Sequence, residues 1–215
     1  MTALPVSYGF CGAGATSVLF HTTQQVHGAR VVPVTSQTHW DNPQPHPSAD
    51  GLYTRADETI AVKTADCLPI LIAHHKGSIV MAIHAGWKGA SSGIIENTVK
   101  KFKKFNSKNK IFASVGPCIG LKSYEVDLNF YKRFVTKSKN NTTYFLKKNK
   151  FKKLFNLRKY VNDKLVRLKV KVDHVNHDTF KERSRFFSYR RSQKLGDNDY
   201  GRSISVISLT NFSQN

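Results

Sequence analysis

Three short motifs in this chain place metal-binding side chains next to turn residues. They are Gln-Val-His27-Gly, Ala-Asp-Cys67-Leu-Pro and Ile-His84-Ala-Gly-Trp-Lys-Gly. One thiolate and two imidazoles form a borderline-soft donor set that suits Zn²⁺ and that Cu²⁺ also accepts. Three protein ligands would leave a fourth position open for water or substrate, as in catalytic metal sites. His27, Cys67 and His84 are therefore candidate metal ligands.

A simpler interpretation fits the same residues, namely that the histidines are satisfied core or turn residues. Nine histidines and three cysteines allow many such combinations by chance. The adjacent pair His74 and His75 illustrates the limit, because neighbours on a strand point to opposite faces and cannot easily bind one ion together. Composition alone leaves both interpretations open.

The elements that must position these residues follow from hydrophobic periodicity. Short apolar runs alternate with amphipathic segments, which predicts a mixed α/β or α+β domain, and we expect one domain over residues 1–215. The predicted strands are Thr59–Val62, Pro69–Ala73, Ile79–Ile83, Ile111–Val115, Val170–His174 and Ile204–Leu209. The predicted helices are one that follows Ser91 and Ser92, one over Asp127–Val135 and one over Phe151–Leu168. Three prolines predict an exposed loop over Ser36–Pro47.

The net charge of +20 is unevenly distributed. Basic and acidic residues balance over the first hundred positions, so the whole excess lies in the second half, notably in Lys100–Lys110 and Lys147–Lys153. Lysine, asparagine and phenylalanine all have A- or T-rich codons, and lysines on helices usually form a solvated face. We therefore expect these lysines on outer helix faces, dispensable for catalysis, and regard a nucleic-acid partner as unlikely.

Cysteine content and apolar runs bear on the class of protein. Cys11, Cys67 and Cys118 are odd in number and never form a CxxC pair, which argues against a disulfide framework. The first ten residues lack a leader pattern, and the apolar runs are too short to span a bilayer. These features favour a soluble, cytoplasmic protein with no membrane partner and give no indication of its oligomeric state.

Several motifs in order resemble the laccase-domain family, which is also labelled polyphenol oxidoreductase or peptidoglycan editing factor. Besides the three motifs above, they are Ala-Asp50-Gly, Val-Gly-Pro-Cys118-Ile-Gly, Tyr124-Glu-Val, Phe-Ser-Tyr189-Arg-Arg and Gly-Arg202. The resemblance implies mixed β-sheets covered by helices, with a metal in a cleft at strand ends. It also implies a zinc-dependent purine nucleoside phosphorylase with adenosine deaminase activity, whose partners are a nucleoside and phosphate.

The resemblance also implies roles for individual residues. His27, Cys67 and His84 match the family's metal ligands, and Cys67, His84 and Asp66 are the catalytic candidates. The substrate-binding candidates are Gln25, Cys118 and Arg202. Arg190 and Arg191 are further candidates for holding an anion. Trp87 is interpreted as a packing residue in preference to a base-stacking platform.

One feature departs from the family, and two alternatives come from other classes of protein. The family's Thr-Arg-x-Gly-Gly stretch has no counterpart before Gln25, and no arginine precedes Arg30, so we expect phosphate use to be the weakest inherited activity. A copper-dependent phenol oxidase is one alternative, although the chain lacks the several histidine pairs of multicopper enzymes. A non-enzymatic nucleic-acid-binding protein is the other.

Overall fold

The structure of the chain is a computed structural model that describes residues 7–11, 20–38, 46–74, 78–105, 110–197 and 200–209. Within them, the first six strands are β1 (Ser7–Cys11), β2 (Val31–Val34), β3 (Gly51–Thr54), β4 (Ile60–Thr64), β5 (Leu68–His74) and β6 (Val80–Ala85). The later strands are β7 (Ile111–Val115), β8 (Glu125–Asp127), β9 (Phe145–Lys147), β10 (Lys152–Phe155), β11 (Lys171–His174) and β12 (Ser203–Ser208). The helices are α1 (Trp87–Ser92), α2 (Ile94–Phe105), α3 (Leu128–Lys137), α4 (Leu157–Arg167) and α5 (Tyr189–Leu195), with a 3-10 segment over Lys139–Tyr144.

The strands form three sheets. A six-stranded mixed sheet has the order β11-β7-β5-β6-β3-β2, and its two outer pairs are parallel. Two further sheets are antiparallel and have three strands each. One has the order β1-β12-β4, and the other, with shorter strands, has the order β8-β10-β9. This architecture confirms the predicted mixed α+β fold.

The central strands of the six-stranded sheet are buried on both faces. Successive side chains along a strand point to opposite sides of the sheet, and a hydrophobic core covers each side. Ile70 and Ile72 pack in the core that includes α2, α3 and α4. Leu71 and Ala73 point the other way, into a core shared with Ile207 and the rest of the three-stranded sheet. Strands β5 and β6 are buried along their whole length because they lie between these two layers.

The helix predicted after Ser91 and Ser92 is confirmed as α2, which begins at Ile94, but the two serines themselves belong to the short helix α1. Gly93, whose φ is +98°, ends α1 in a left-handed conformation. The start of another predicted helix is wrong. The predicted helix over Phe151–Leu168 begins only at Leu157, where the Asn156 side chain accepts a hydrogen bond from the Lys159 amide.

The segment before Asn156 is the hairpin of β9 and β10 instead. Phe155 pairs with Phe145 across this hairpin, and their ring centroids lie 4.9 Å apart. Lys147–Lys153 consequently belongs to a hairpin, which corrects the expectation that its lysines lie on a helix face. Of the predicted loop over Ser36–Pro47, residues 39–45 lie outside the described part of the chain, as do residues 106–109 of the first lysine-rich segment.

No helix in the described ranges has both the length and the apolar character needed to cross a membrane.

The hairpin supplies a matched pair of variants for testing the packing. Phe155→Ala should destabilise the protein by about 3–5 kcal/mol, because the Phe155 side chain is completely buried among aromatic rings. Phe151→Ala should change stability by less than about 0.5 kcal/mol, because Phe151 is 63% exposed. Urea unfolding measures both values, and equal losses in the two variants would contradict the hairpin.

Candidate metal centre and its cavity

The structure brings the three predicted metal ligands together from three separate segments. His27 precedes β2, Cys67 lies in the turn between β4 and β5, and His84 lies near the end of β6. Their ligand atoms all lie within 4.8 Å of one another. His27 is exposed, Cys67 is half-buried and His84 is buried, so the cluster is open to solvent on the side of His27.

The backbone around the cluster allows this close approach. His27 has a φ of +60°, a left-handed conformation that residues other than glycine seldom adopt. Gly86 lies directly behind the ligands, where an added Cβ would come within 2.9 Å of Cys67 Sγ and 3.0 Å of His27 Cδ2. A larger residue at position 86 would therefore occupy space that the ligands need.

The carboxylate of Asp50 joins two of the ligands. It is fully buried and accepts hydrogen bonds from His84 Nδ1 at 2.7 Å, from the His27 amide at 2.9 Å and from the Gly28 amide at 2.6 Å. Because Nδ1 of His84 is engaged by Asp50, Nε2 is the atom left for an ion. Burial raises the pKa of Asp50, but the hydrogen bonds from His84, Gly28 and His27 outweigh burial and hold the pKa below its usual value.

The cluster also favours an ionised thiol. Burial opposes ionisation of Cys67, but the charge of His84 and hydrogen bonds from both histidines lower the pKa of Cys67 to about 7. Burial likewise lowers the pKa of His84, but Cys67 and Asp50 together raise it to about 9. A thiolate is the form that binds a metal ion, so the donor set and its electrostatics fit a zinc-type ion.

Two further candidate residues, Gln25 and Asp66, line the cavity beside the cluster, but their polar atoms bond to protein groups. Gln25 donates to the Lys63 carbonyl at 2.7 Å and accepts from the Lys63 amide at 2.8 Å, which ties this segment to β4. Asp66, with a φ of +82°, accepts hydrogen bonds from the Thr179 hydroxyl at 2.7 Å and the Arg190 amide at 2.6 Å. Both residues thus position the segments that carry His27 and Cys67.

Cys118 lies apart from the cavity surface. Its side chain is fully buried and is not part of the cavity lining, whereas its neighbour Ile119 is. Burial raises the pKa of the Cys118 thiol to about 12, so it stays protonated. Its predicted role in substrate binding stays a prediction.

The candidate arginines have different surroundings. Arg202 lines the cavity and is exposed, and its guanidinium lies 3.8 Å from the ring centroid of Tyr200. Arg190 also lines the cavity and donates to the Glu125 carbonyl at 2.5 Å. Arg191 donates to the backbone carbonyls of Thr179, Phe180 and Phe186 and is not a lining residue.

The cavity that contains the three ligands has a volume of about 550 Å³. That is within the range of about 300–1,000 Å³ found for small-molecule sites. Four cations line it, namely Lys63, Lys88, Arg190 and Arg202. Burial raises the pKa of Tyr124, so its hydroxyl stays protonated in the cavity wall. Trp87 lines the cavity and also packs edge-on against Phe130 at 4.8 Å, in keeping with its interpretation as a packing residue.

Several of these residues were not singled out from the sequence. Asp50 belongs to the Ala-Asp-Gly motif, and metal-binding histidines commonly donate a hydrogen bond to a carboxylate. The sequence could therefore have indicated Asp50 as the partner of a ligand histidine. Lys63 shortly precedes the Cys67 motif, and Lys88 lies within the His84 motif, so both could have been noted as neighbours of the ligands. Tyr189 stands in the Phe-Ser-Tyr-Arg-Arg motif, whereas Tyr200 belongs to none of the motifs and is brought to the cavity only by the fold.

Replacement of Asp50 tests how the cluster is held. Asp50→Asn should lower metal affinity by about 10- to 100-fold, because it removes the charge that fixes His84 and the His27 amide. Competition with a chromophoric chelator measures the affinity. Asp163→Asn is the control, since the carboxylate of Asp163 bonds to Lys159 and Asn162 and does not line the cavity. Equal affinities of the two variants would contradict this role of Asp50.

The chain is similar to several known proteins. The family model described as multi-copper polyphenol oxidoreductase laccase matches residues 11–210. A purine nucleoside phosphorylase of Rickettsia conorii is 40% identical over 154 residues, which cover 69% of this chain and 63% of that protein. The match thus spans less than two thirds of that relative's length. A purine nucleoside phosphorylase of Haemophilus influenzae is 35% identical over 191 residues, covering 85% of this chain and 71% of that protein.

Solved structures share the fold. A crystal structure of a Neisseria meningitidis protein matches with a TM-score of 0.75 and 32% identity, over 88% of this chain and 74% of that one. YlmD from Geobacillus stearothermophilus matches with a TM-score of 0.76 and 26% identity, over 88% and 73% of the two chains. The resemblance inferred from the ordered motifs is confirmed, and the chain belongs to the multi-copper polyphenol oxidoreductase laccase family.

Proposed function

We propose that the chain is a zinc-dependent purine nucleoside phosphorylase that also deaminates adenosine. The observation that carries this proposal is the meeting of an open His27, Cys67 and His84 cluster with four cations in one cavity of about 550 Å³. Relatives named purine nucleoside phosphorylase support the choice of reaction. Zinc is the proposed ion because two imidazoles and a thiolate are a common catalytic donor set for it.

Phosphorolysis needs a place for an anion beside the sugar. An oxygen of phosphate attacks C1′ of the ribose while the bond from C1′ to the purine nitrogen breaks, which gives ribose 1-phosphate and a free base. In this proposal Lys63 and Lys88 bind the phosphate, since both are cationic and line the cavity beside the metal ligands. When bound, the ion supplies Lewis-acid catalysis, which stabilises negative charge that develops on oxygen.

The chain's other residues hold the reactants and the protons. Tyr124 keeps its hydroxyl proton and can donate a hydrogen bond within the cavity. Asp66 and Gln25 hold the ligand-bearing segments through backbone contacts, so their proposed contribution is positioning. Deamination at the same site would add water at C6 of the purine of adenosine and release ammonia, which gives inosine and requires no phosphate.

Oxidation of phenols is less well supported than phosphorolysis, although the family's description names it. Multicopper oxidation needs several copper sites rich in histidine. Among the residues that the structure describes, His27, Cys67 and His84 form the group of ligand atoms close enough to share an ion.

The metal assignment can be tested by replacing each ligand. The purified protein should contain about one equivalent of zinc, and His27→Ala, Cys67→Ala and His84→Ala should each lose most of it, because two remaining donors cannot keep the geometry. Cys118→Ala serves as the control, since this cysteine is buried away from the cavity surface. Elemental analysis that finds full metal content in all three ligand variants would refute the assignment.

The reaction can be tested by following adenosine with and without phosphate, with products resolved by chromatography. Adenine should form only when phosphate is present, whereas inosine should form in both conditions. Lys63→Gln and Lys88→Gln should each raise the KM for phosphate by about ten-fold, which corresponds to about 1.4 kcal/mol of binding.

Lys147→Gln is the matched control for these lysine variants, because Lys147 is exposed on the β9–β10 hairpin. It should leave the KM for phosphate unchanged. Equal rates of adenine formation with and without phosphate would indicate hydrolysis in place of phosphorolysis, and absence of inosine would refute the deaminase part of the proposal.

A further inference from the structure

Three neighbouring side chains form an aromatic rim on the cavity. They are Tyr189, Tyr200 and Arg202, and all three are lining residues. The ring centroids of Tyr189 and Tyr200 lie 5.1 Å apart with a tilt of 54°. Tyr189 is a large aromatic residue, yet its side chain is 47% exposed. An exposed ring at the edge of a polar cavity offers a flat surface to a ligand.

The aromatic rim is held in place from both sides. Tyr189 is the first residue of α5, where the Ser188 side chain accepts a hydrogen bond from the Arg191 amide at 3.1 Å. Asp66 accepts the adjacent Arg190 amide at 2.6 Å, which connects α5 to the turn that carries Cys67. The start of α5 is therefore fixed relative to the metal ligands.

Tyr200, the other tyrosine of the aromatic rim, is contacted by Arg202. Its guanidinium lies over the ring of Tyr200, 3.8 Å from the centroid, and donates to the Tyr200 carbonyl at 2.7 Å. This stacking covers one face of Tyr200 and leaves Tyr189 as the more open ring. A ring that is already held in place loses little conformational entropy when a ligand binds.

The chemistry of the rim differs from that of the rest of the cavity. Aromatic rings and guanidinium planes stack with planar heteroaromatic rings, and this contact tolerates different bases because each has a π-face. A sugar phosphate has no such face and is bound instead by cations such as Lys63 and Lys88. The cavity lining thus includes residues suited to a flat ring and residues suited to an anion.

We propose that the aromatic rim is the base subsite, in which a purine ring stacks on Tyr189 while Tyr200 and Arg202 hold that tyrosine in place. This inference rests on the proposed function for the identity of the ligand. It assigns Arg202 to the base side of the cavity and leaves the phosphate to Lys63 and Lys88.

The test measures binding without turnover. Adenine and ribose 1-phosphate are titrated separately into the full chain by calorimetry, with and without zinc. Tyr189→Leu should weaken adenine binding by about ten-fold and leave ribose 1-phosphate unchanged, because leucine keeps an apolar side chain but removes the flat ring. Tyr189→Phe should retain adenine binding, since it keeps the ring.

A control variant and a stability measurement accompany these titrations. Phe151→Leu replaces an aromatic residue that is also exposed, at 63%, but lies outside the cavity lining, so it should leave both ligands unaffected. Thermal unfolding of Tyr189→Leu should match the parent chain, because the residue is exposed.

The outcomes separate the base subsite from the proposed function. Unchanged adenine affinity in Tyr189→Leu, or an equal loss for ribose 1-phosphate, would overturn the base subsite even if the zinc-loaded chain cleaves nucleosides. Adenine binding that depends on the ring of Tyr189 would support the base subsite even if no purine nucleoside is cleaved. In that second case the proposed function alone would fail.

Discussion

The contact on which the site depends is the one between the buried carboxylate of Asp50 and the His84 ring, 2.7 Å apart. A buried charge without compensation is costly, and here the compensation comes from His84 together with the amides of His27 and Gly28. The same contacts that stabilise the carboxylate therefore orient one metal ligand and hold the backbone of another. The left-handed conformation of His27 persists because several hydrogen bonds determine it at once.

A second aspartate connects the metal site to the distant end of the chain. Asp66 precedes the ligand Cys67, and its carboxylate binds the amide of Arg190, which lies 124 positions later in the sequence. The C-terminal segment can therefore complete the cavity wall although the metal ligands all come from the first 84 residues. The antiparallel pairing of β12 with β4, in which Ser203 lies opposite Thr64, also brings Tyr200 and Arg202 to the cavity.

The grouping of His27, Cys67 and His84 was predicted from the ordered motifs that resemble the family, because residue type alone also fits histidines in a core or a turn. The overall fold class followed from hydrophobic periodicity, because short apolar runs alternate with amphipathic segments. The β9–β10 hairpin did not, because its apolar residues at Phe151 and Leu154 also fit a helical stripe that continues into α4. The hairpin depends on cross-strand pairing of β10 with β8 and β9, including the contact of Phe145 with Phe155, and such pairing cannot be read from local sequence.

The position of each charged residue in the fold is more informative about function than the net charge of the chain. The hairpin lysines Lys148 and Lys152 both pair with Glu125, whose pKa they lower to about 2, and neither lines the cavity. Lys63 and Lys88 come from the charge-balanced first hundred residues and do line it. The charges of Lys148 and Lys152 are offset in part by the carboxylate of Glu125 that they share, and both side chains are exposed to solvent that screens them. The net charge of +20 is therefore a poor guide to the substrate, whereas two lysines beside the metal ligands are informative.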